Sequence, residues 1–318
     1  MSIGSTGTSA KVSIVSGGSG RIGYTLVFGC LLLCALPLIF VWEPMRLVFA
    51  LALQNDTYTH IPLIPVVSIF LIYTERRSIF SDITHSWGAG SALIIPGVIL
   101  IGLARFNVWQ LGSANELSLV LSGFVLLWIG AFLLFFGPKA FRAARFPLLF
   151  LLFTIPIPEP FLSWTIFQLQ EGSAKAAAAI FNLLGIPYLQ SDLIFSLPGV
   201  AIRVAEECSG IRSTLALLIM AVLASHLFLK TTWKQLLLCL LVVPMSVAKN
   251  GLRIATLSAL SIYVDSGFLH GRLHEYGGMV FFAAALVPLA LFCAYLQKTE
   301  RKSSARTLAA QHLQTKTL

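Results

Sequence analysis

The sequence predicts an all-α polytopic membrane protein of about eight transmembrane helices, with both termini inside. Three observations carry that reading. Hydrophobic residues make up 57% of the 318 residues and charged residues only 11%. A soluble chain carries roughly 25% charged residues, so this one cannot clothe a water-facing surface. Mean hydropathy is +0.86, and apolar runs of bilayer length recur between short polar segments. The same composition excludes a disordered chain, a coiled coil and a disulfide-stapled secreted domain. The net charge of +9, from 22 basic and 13 acidic residues, is spread between the apolar runs. There it sets membrane orientation, so the lipid bilayer and not nucleic acid is the expected partner.

A helix needs about 20 apolar residues to cross the hydrocarbon core. Tyr24–Trp42, Ser118–Phe136, Ser209–Leu229, Leu236–Ala255 and Gly277–Leu296 meet that length. Ile61–Tyr73, Gly88–Ala104 and Phe141–Ile157 are shorter, or interrupted by Pro62, Pro65, Pro96 and Pro147, and complete the count. The first run is long and has no small-residue cleavage site after Trp42, which argues against a cleavable signal peptide. With the N-terminus inside, 14 of the 22 basic residues fall in inner loops, against only Glu75, Asp82 and Glu300 among the acidic ones. That alternation is what the positive-inside rule requires. The expected organisation is a cytoplasmic tail (1–20), a single membrane domain (21–297) and a basic, polar cytoplasmic tail (298–318).

One long outer segment remains, Pro158–Glu207. Phe161, Trp164, Phe167 and the Ala-rich stretch to Leu184 predict an amphipathic helix on the outer membrane surface. Beyond it, the Leu197-Pro198-Gly199 turn and the alternation of Val200, Ile202 and Val204 predict a small β-hairpin.

The residues able to do chemistry gather on the outer side. Of five cysteines, Cys30, Cys34, Cys239 and Cys293 lie in apolar helices and read as small buried hydrophobes. Cys208 instead precedes the sixth span, with no second outer cysteine to pair with. A helix N-terminus favours its thiolate, Glu206 and Glu207 oppose it, and Arg212 could supply the missing cation from one turn along. Nucleophile and inert thiol both fit. Arg253, near the outer end of the seventh span, is either a snorkelling anchor or an interior cation. Asn250, three residues earlier, shares its face, and Lys249 could assist or snorkel. His274, one turn before the eighth span, is a possible general base, but His270 lies only four residues away. His60 is also expected outside, whereas His85, His226 and His312 fall inside. Together Cys208, Arg253 and His274 stand at similar depth and supply what a cysteine acyl transfer needs: nucleophile, oxyanion cation and base.

At these residues the chain resembles the exosortase/archaeosortase family of membrane transpeptidase-like enzymes. The likeness rests on Glu207-Cys208-Ser209-Gly210-Ile211-Arg212-Ser213, on Asn250-Gly251-Leu252-Arg253-Ile254, and on His274-Glu275-Tyr276-Gly277. Phe146-Pro147 through Ile155-Pro156-Ile157-Pro158, the Leu184-Gly185-Ile186-Pro187 stretch, and Thr59-His60 with Glu75-Arg76-Arg77 extend it over roughly residues 20–297. The resemblance implies Cys208, Arg253 and His274 as the catalytic residues, with Arg212, Asn250 and Glu207 in support. The pattern Glu-x-x-Gly prefers His274 over His270. It further implies cleavage of exported proteins at a C-terminal sorting signal: a short motif such as Pro-Glu-Pro, a transmembrane helix, then basic residues. The site would face the periplasm or exterior from the cytoplasmic membrane, with no metal and no cofactor. Lys249 stands where the pattern leads one to expect a small residue.

Two other classes compete. A prenyl-endopeptidase-type glutamyl protease uses Glu-Glu-x-x-x-Arg, but four residues separate Glu207 from Arg212 here, and Cys208 is left without a role. A transporter would use Arg253 and Lys249 as pathway charges, though usually beside helices broken at the midplane.

Overall fold

The computed structural model describes residues 28–35, 42–54, 57–106, 112–205, 209–265 and 272–316. Its helices are α1 (28–35), α2 (Trp42–Gln54), α3 (Leu63–Thr74), α4 (Arg76–Ile79), α5 (Trp87–Arg105), α6 (Ser113–Ala143), α7 (Arg145–Phe150), α8 (Glu159–Leu184), α9 (Ile211–Phe228), α10 (Thr232–Tyr263) and α11 (Arg272–Lys316). Among the described residues, five helices are long and apolar enough to cross a bilayer: α5, α6, α9, α10 and the Gly278–Lys302 part of α11. Each overlaps an expected span, α10 running eight residues past the Ala255 at which its span is expected to end, so Arg253 lies inside the helix and not near its end.

The other three expected spans take different forms. Tyr24–Trp42 falls mostly outside the described residues, α1 being its central part. Ile61–Tyr73 becomes the 12-residue α3, only about 18 Å long at 1.5 Å per residue and short of the roughly 30 Å core. Phe141–Ile157 becomes α7 with a 3-10 turn, Leu151–Thr154, and the chain then bends by 87° into α8. Pro156 and Pro158 sit in that bend and lack the N–H groups that would continue the helix. The pair counts as a sixth crossing only if taken as one broken span. The described helices therefore do not reproduce a count of eight. The tail expected from residue 298 continues the last helix as far as Lys316.

Small residues set the first helix pair. A Cβ on Gly90 would lie 2.5 Å from the Leu134 Cβ, and one on Gly97 would lie 2.8 Å from the Gly123 carbonyl oxygen. Gly123 and Gly130 answer from α6 against Gly97 and Gly90, so the antiparallel backbones of α5 and α6 touch at two levels. Helix α6 breaks at Gly137, where φ is 81° and any side chain would strike Thr84.

The second half is built around α10. Leu217 and Ala221 of α9, Leu238 and Val242 of α10, and Leu289 and Cys293 of α11 form one core. At the foot of this trio the Glu300 carboxylate accepts hydrogen bonds from the Lys230 and Thr231 N–H groups at 3.0 and 2.9 Å. Lys234 crosses nearby to the Leu296 carbonyl and the Thr299 hydroxyl. The halves meet where the His226 ring stacks on Phe146, with centroids 3.6 Å apart, and lies 3.6 Å from the Glu75 carboxylate.

Helix α8 presents Leu169, Gln170, Ser173, Ala174, Ala177 and Phe181 as its buried stripe, while Phe161, Trp164 and Phe167 remain exposed. That division is the expected amphipathicity. Its buried stripe meets α10 and a small sheet of β1 (Leu189–Ser191), β2 (Ile194–Leu197) and β3 (Val200–Arg203). The expected hairpin is β2–β3, turning at Pro198 and Gly199. β1 adds a third antiparallel strand through a turn at Asp192, which tolerates a φ of 52°. Phe195 and Leu197 alternate inward, and Phe195 meets Phe181 edge-on at 5.4 Å.

Candidate active site

Helix α10 carries Lys249, Asn250 and Arg253 on an otherwise apolar stretch, and α8 fixes their height. A Cβ on Gly251 would lie 2.5 Å from the Ala176 Cβ, so α8 and α10 touch at this turn. Asn250 is 1% exposed, and its Nδ2 donates to the Ser173 Oγ at 3.0 Å. Arg253 follows one turn later and is half-buried.

The turn before α9 rests on that asparagine. Gly210 has φ 77°, in the region where only glycine is at ease. Its Cβ position lies 3.2 Å from the Cγ and Oδ1 of Asn250, so a side chain there would also crowd the amide. The Gly210 carbonyl accepts from the hydroxyls of Ser213 and Thr214, both at 2.9 Å. Buried Ser209 accepts from the Ile211 N–H at 3.3 Å. Lys249 donates to the Ser213 Oγ from the other side.

The chain arriving from β3 is fixed as well. Val204 is buried; its N–H donates to the Leu193 carbonyl at 2.8 Å, and its carbonyl accepts from the Gln170 Nε2 at 2.9 Å. Cys208, with Glu206 and Glu207, lies outside the described residues. The structure thus anchors the chain on both sides of these three positions against α8 and α10.

Helix lengths compare the depths. From the Glu300 node, α9 reaches Ile211 after about 27 Å, α10 reaches Arg253 after about 32 Å, and α11 reaches His274 after about 39 Å. The first two are near the roughly 30 Å thickness of a hydrocarbon core, and His274 stands about 9 Å beyond it along α11. His274 occupies the first turn of α11; its side chain, like all of His270, is outside the described set. Arg212 is exposed at the start of α9. His60 is buried enough to push its imidazole below the usual histidine range, against the hydrogen bonds it makes to the backbone of Thr57 and Phe153. Those bonds give it a structural place. Among the described residues no group of three or more His, Cys, Asp or Glu side chains could hold a metal ion.

Sequence reasoning missed three contributors: Gln170, Ser173 and Ser213. The first two had a signal. Gln170, Ser173, Ala174 and Ala177 follow the i, i+3, i+4, i+7 spacing of a buried helical stripe, which makes two polar members of that stripe conspicuous.

A family model described as transmembrane exosortase matches residues 50–291. No curated protein and no solved structure matches the chain. The matched range covers well over half of the sequence and includes Gln170, Ser173, Cys208, Gly210, Arg212, Ser213, Lys249, Asn250, Arg253 and His274.

Proposed function

Because the chain belongs to the transmembrane exosortase family, a family of multi-pass membrane proteins with a peptidase- or transpeptidase-like role, we propose that it cleaves exported proteins at a C-terminal sorting signal, with Cys208 as nucleophile. The substrate is held by its own transmembrane helix, which reduces its search to two dimensions and brings the scissile bond to the depth of the site. The Cys208 thiolate attacks the scissile carbonyl carbon, and the Arg253 guanidinium stabilises the resulting oxyanion. Collapse breaks the C–N bond and leaves a thioester on Cys208, while the departing amine takes a proton from His274. Water or an amine then attacks the thioester, passes a proton to His274, and regenerates the thiol. Water gives proteolysis; an amine gives transpeptidation. Arg212, Asn250 and Glu207 support the site, which faces the exterior of the cytoplasmic membrane.

One observation carries this reading: Gly210 is seated against Asn250, one turn before Arg253 on the same face of α10. Cys208 precedes Gly210 by two positions, and two Cα–Cα steps span at most about 7 Å. That short covalent reach is what supports pairing Cys208 with the Asn250–Arg253 turn.

Processing of a co-expressed sorting-signal substrate tests the base. His274→Ala should lose activity near neutral pH and recover part of it above about pH 8.5, where a free thiol ionises unaided. His270→Ala should process normally. An essential His270 with a silent His274 would shift the base by one helical turn.

Access tests the orientation. A membrane-impermeant maleimide on intact cells should label Cys208 and leave the other four cysteines, which are half-buried or buried in helices, unmodified. Labelling that requires permeabilisation would turn the site to the inside.

A further inference from the structure

Lys249 has a place in this site that the three-residue chemistry leaves unused. A lysine on a membrane helix ordinarily snorkels, laying its stem along apolar surface and its ammonium in water. Lys249 does the opposite: it is only 9% exposed, and its Nζ donates to the Ser213 Oγ across the α9–α10 interface. The Ser213 hydroxyl in turn donates to the Gly210 carbonyl at 2.9 Å. On the next residue of α10, the Asn250 side chain lies against Gly210 itself. Two consecutive residues of α10 therefore grip one turn, the first through a hydroxyl and the second by direct contact. The arrangement is costly. An ammonium removed from water loses solvation that a single hydroxyl only partly restores, and Arg253 sits one turn away on the same face as a like charge. A methionine would fill the same space without either cost.

We propose that Lys249 is a positioning residue of the reaction: its ammonium polarises the Ser213 hydroxyl, which holds the Gly210 carbonyl and so fixes the turn that carries Cys208 beside Arg253. The inference rests on the reading of Cys208 as nucleophile. A hydroxyl that accepts from a cation donates more strongly, and a charge-assisted chain of this kind is directional where apolar packing is not. Lys249 touches no reacting atom; it acts through Ser213.

The test uses the full chain reconstituted with a purified sorting-signal substrate, comparing Lys249→Met, Ser213→Ala and the double variant. Each single change should lower kcat on the order of 10- to 100-fold, the range for losing a charge-assisted hydrogen bond, with KM within about twofold because substrate contacts are untouched. The double variant should be no worse than the worse single, since both remove one chain of bonds. The iodoacetamide alkylation rate of Cys208 should change with the same pattern, a readout that needs no turnover. Multiplying effects in the double variant, or single variants within about twofold of wild type in both kcat and alkylation, would overturn the inference. If Lys249→Met fails to insert, Ser213→Ala carries the test alone: loss of kcat and an altered alkylation rate sustain it, and wild-type values sink it. Full processing by Cys208→Ala would instead bring down the functional reading, while the alkylation comparison in the Cys208-containing protein still judges the chain from Lys249 to Gly210.

Discussion

Cys208→Ala is expected to abolish processing of a sorting-signal substrate while leaving the protein inserted in the membrane. Removing the nucleophile of a covalent peptidase costs about 10⁶-fold in kcat, which puts residual turnover below detection. Cys208→Ser should fare little better, because a hydroxyl stays protonated beside a base suited to a thiol. The control that gives the result its meaning is a pair of alanine variants at Glu206 and Glu207. Under the cysteine mechanism neither carboxylate does the covalent chemistry, so alanine at Glu206 should leave activity in place and alanine at the supporting Glu207 should lower it without abolishing it. Active Cys208→Ala with inactive Glu207→Ala would favour the glutamate-centred alternative.

Arg253→Lys should lose activity on the order of 10²-fold, the scale of removing one oxyanion donor. Lysine keeps the charge but not the planar fork that offers two parallel N–H groups. Asn250 and Gly251 fix this turn of α10 against α8, so the backbone carrying residue 253 should not move. The loss should therefore fall on kcat, and uncleaved substrate should still co-purify. A fully active lysine variant would reduce Arg253 to an interfacial anchor on α10 with no part in the reaction.

How much of this could be read beforehand follows from what hydropathy measures. Apolar length locates a membrane helix, and α5, α6, α9, α10 and α11 stand where their runs predict. The β2–β3 hairpin was legible because Pro198-Gly199 is a strong local turn signal. Partners are another matter. In a chain apolar on nearly every face, hydrophobic periodicity does not say which stripe meets which helix. The Gly90–Gly130 and Gly97–Gly123 approaches and the Gly251–Ala176 contact therefore emerge only in three dimensions. β1 escaped because Gln190, Ser191 and Asp192 are polar and its pairing is supplied by β2. The length of α3 was legible, but twelve mostly apolar residues read equally as a short span.

The site divides in the same way. Asn250 and Arg253 were recognisable as polar residues in a span, and the structure brings the segment after Cys208 against Asn250. The sequence left Lys249 between assisting and snorkelling; its contact with Ser213 settles where its ammonium goes. His226, set aside as an inner histidine, ties α9 to Phe146 and Glu75. Nothing local announces that pairing, because its partners lie about 80 and 150 residues away in sequence.

The covalent intermediate is the most direct test. Purified enzyme mixed with substrate and quenched in acid during turnover should yield, on peptide mass mapping, a Cys208 peptide heavier by the acyl portion of the substrate, with the adduct released by hydroxylamine as a thioester would be. Turnover without any adduct on Cys208, or an adduct on another residue, would contradict the account.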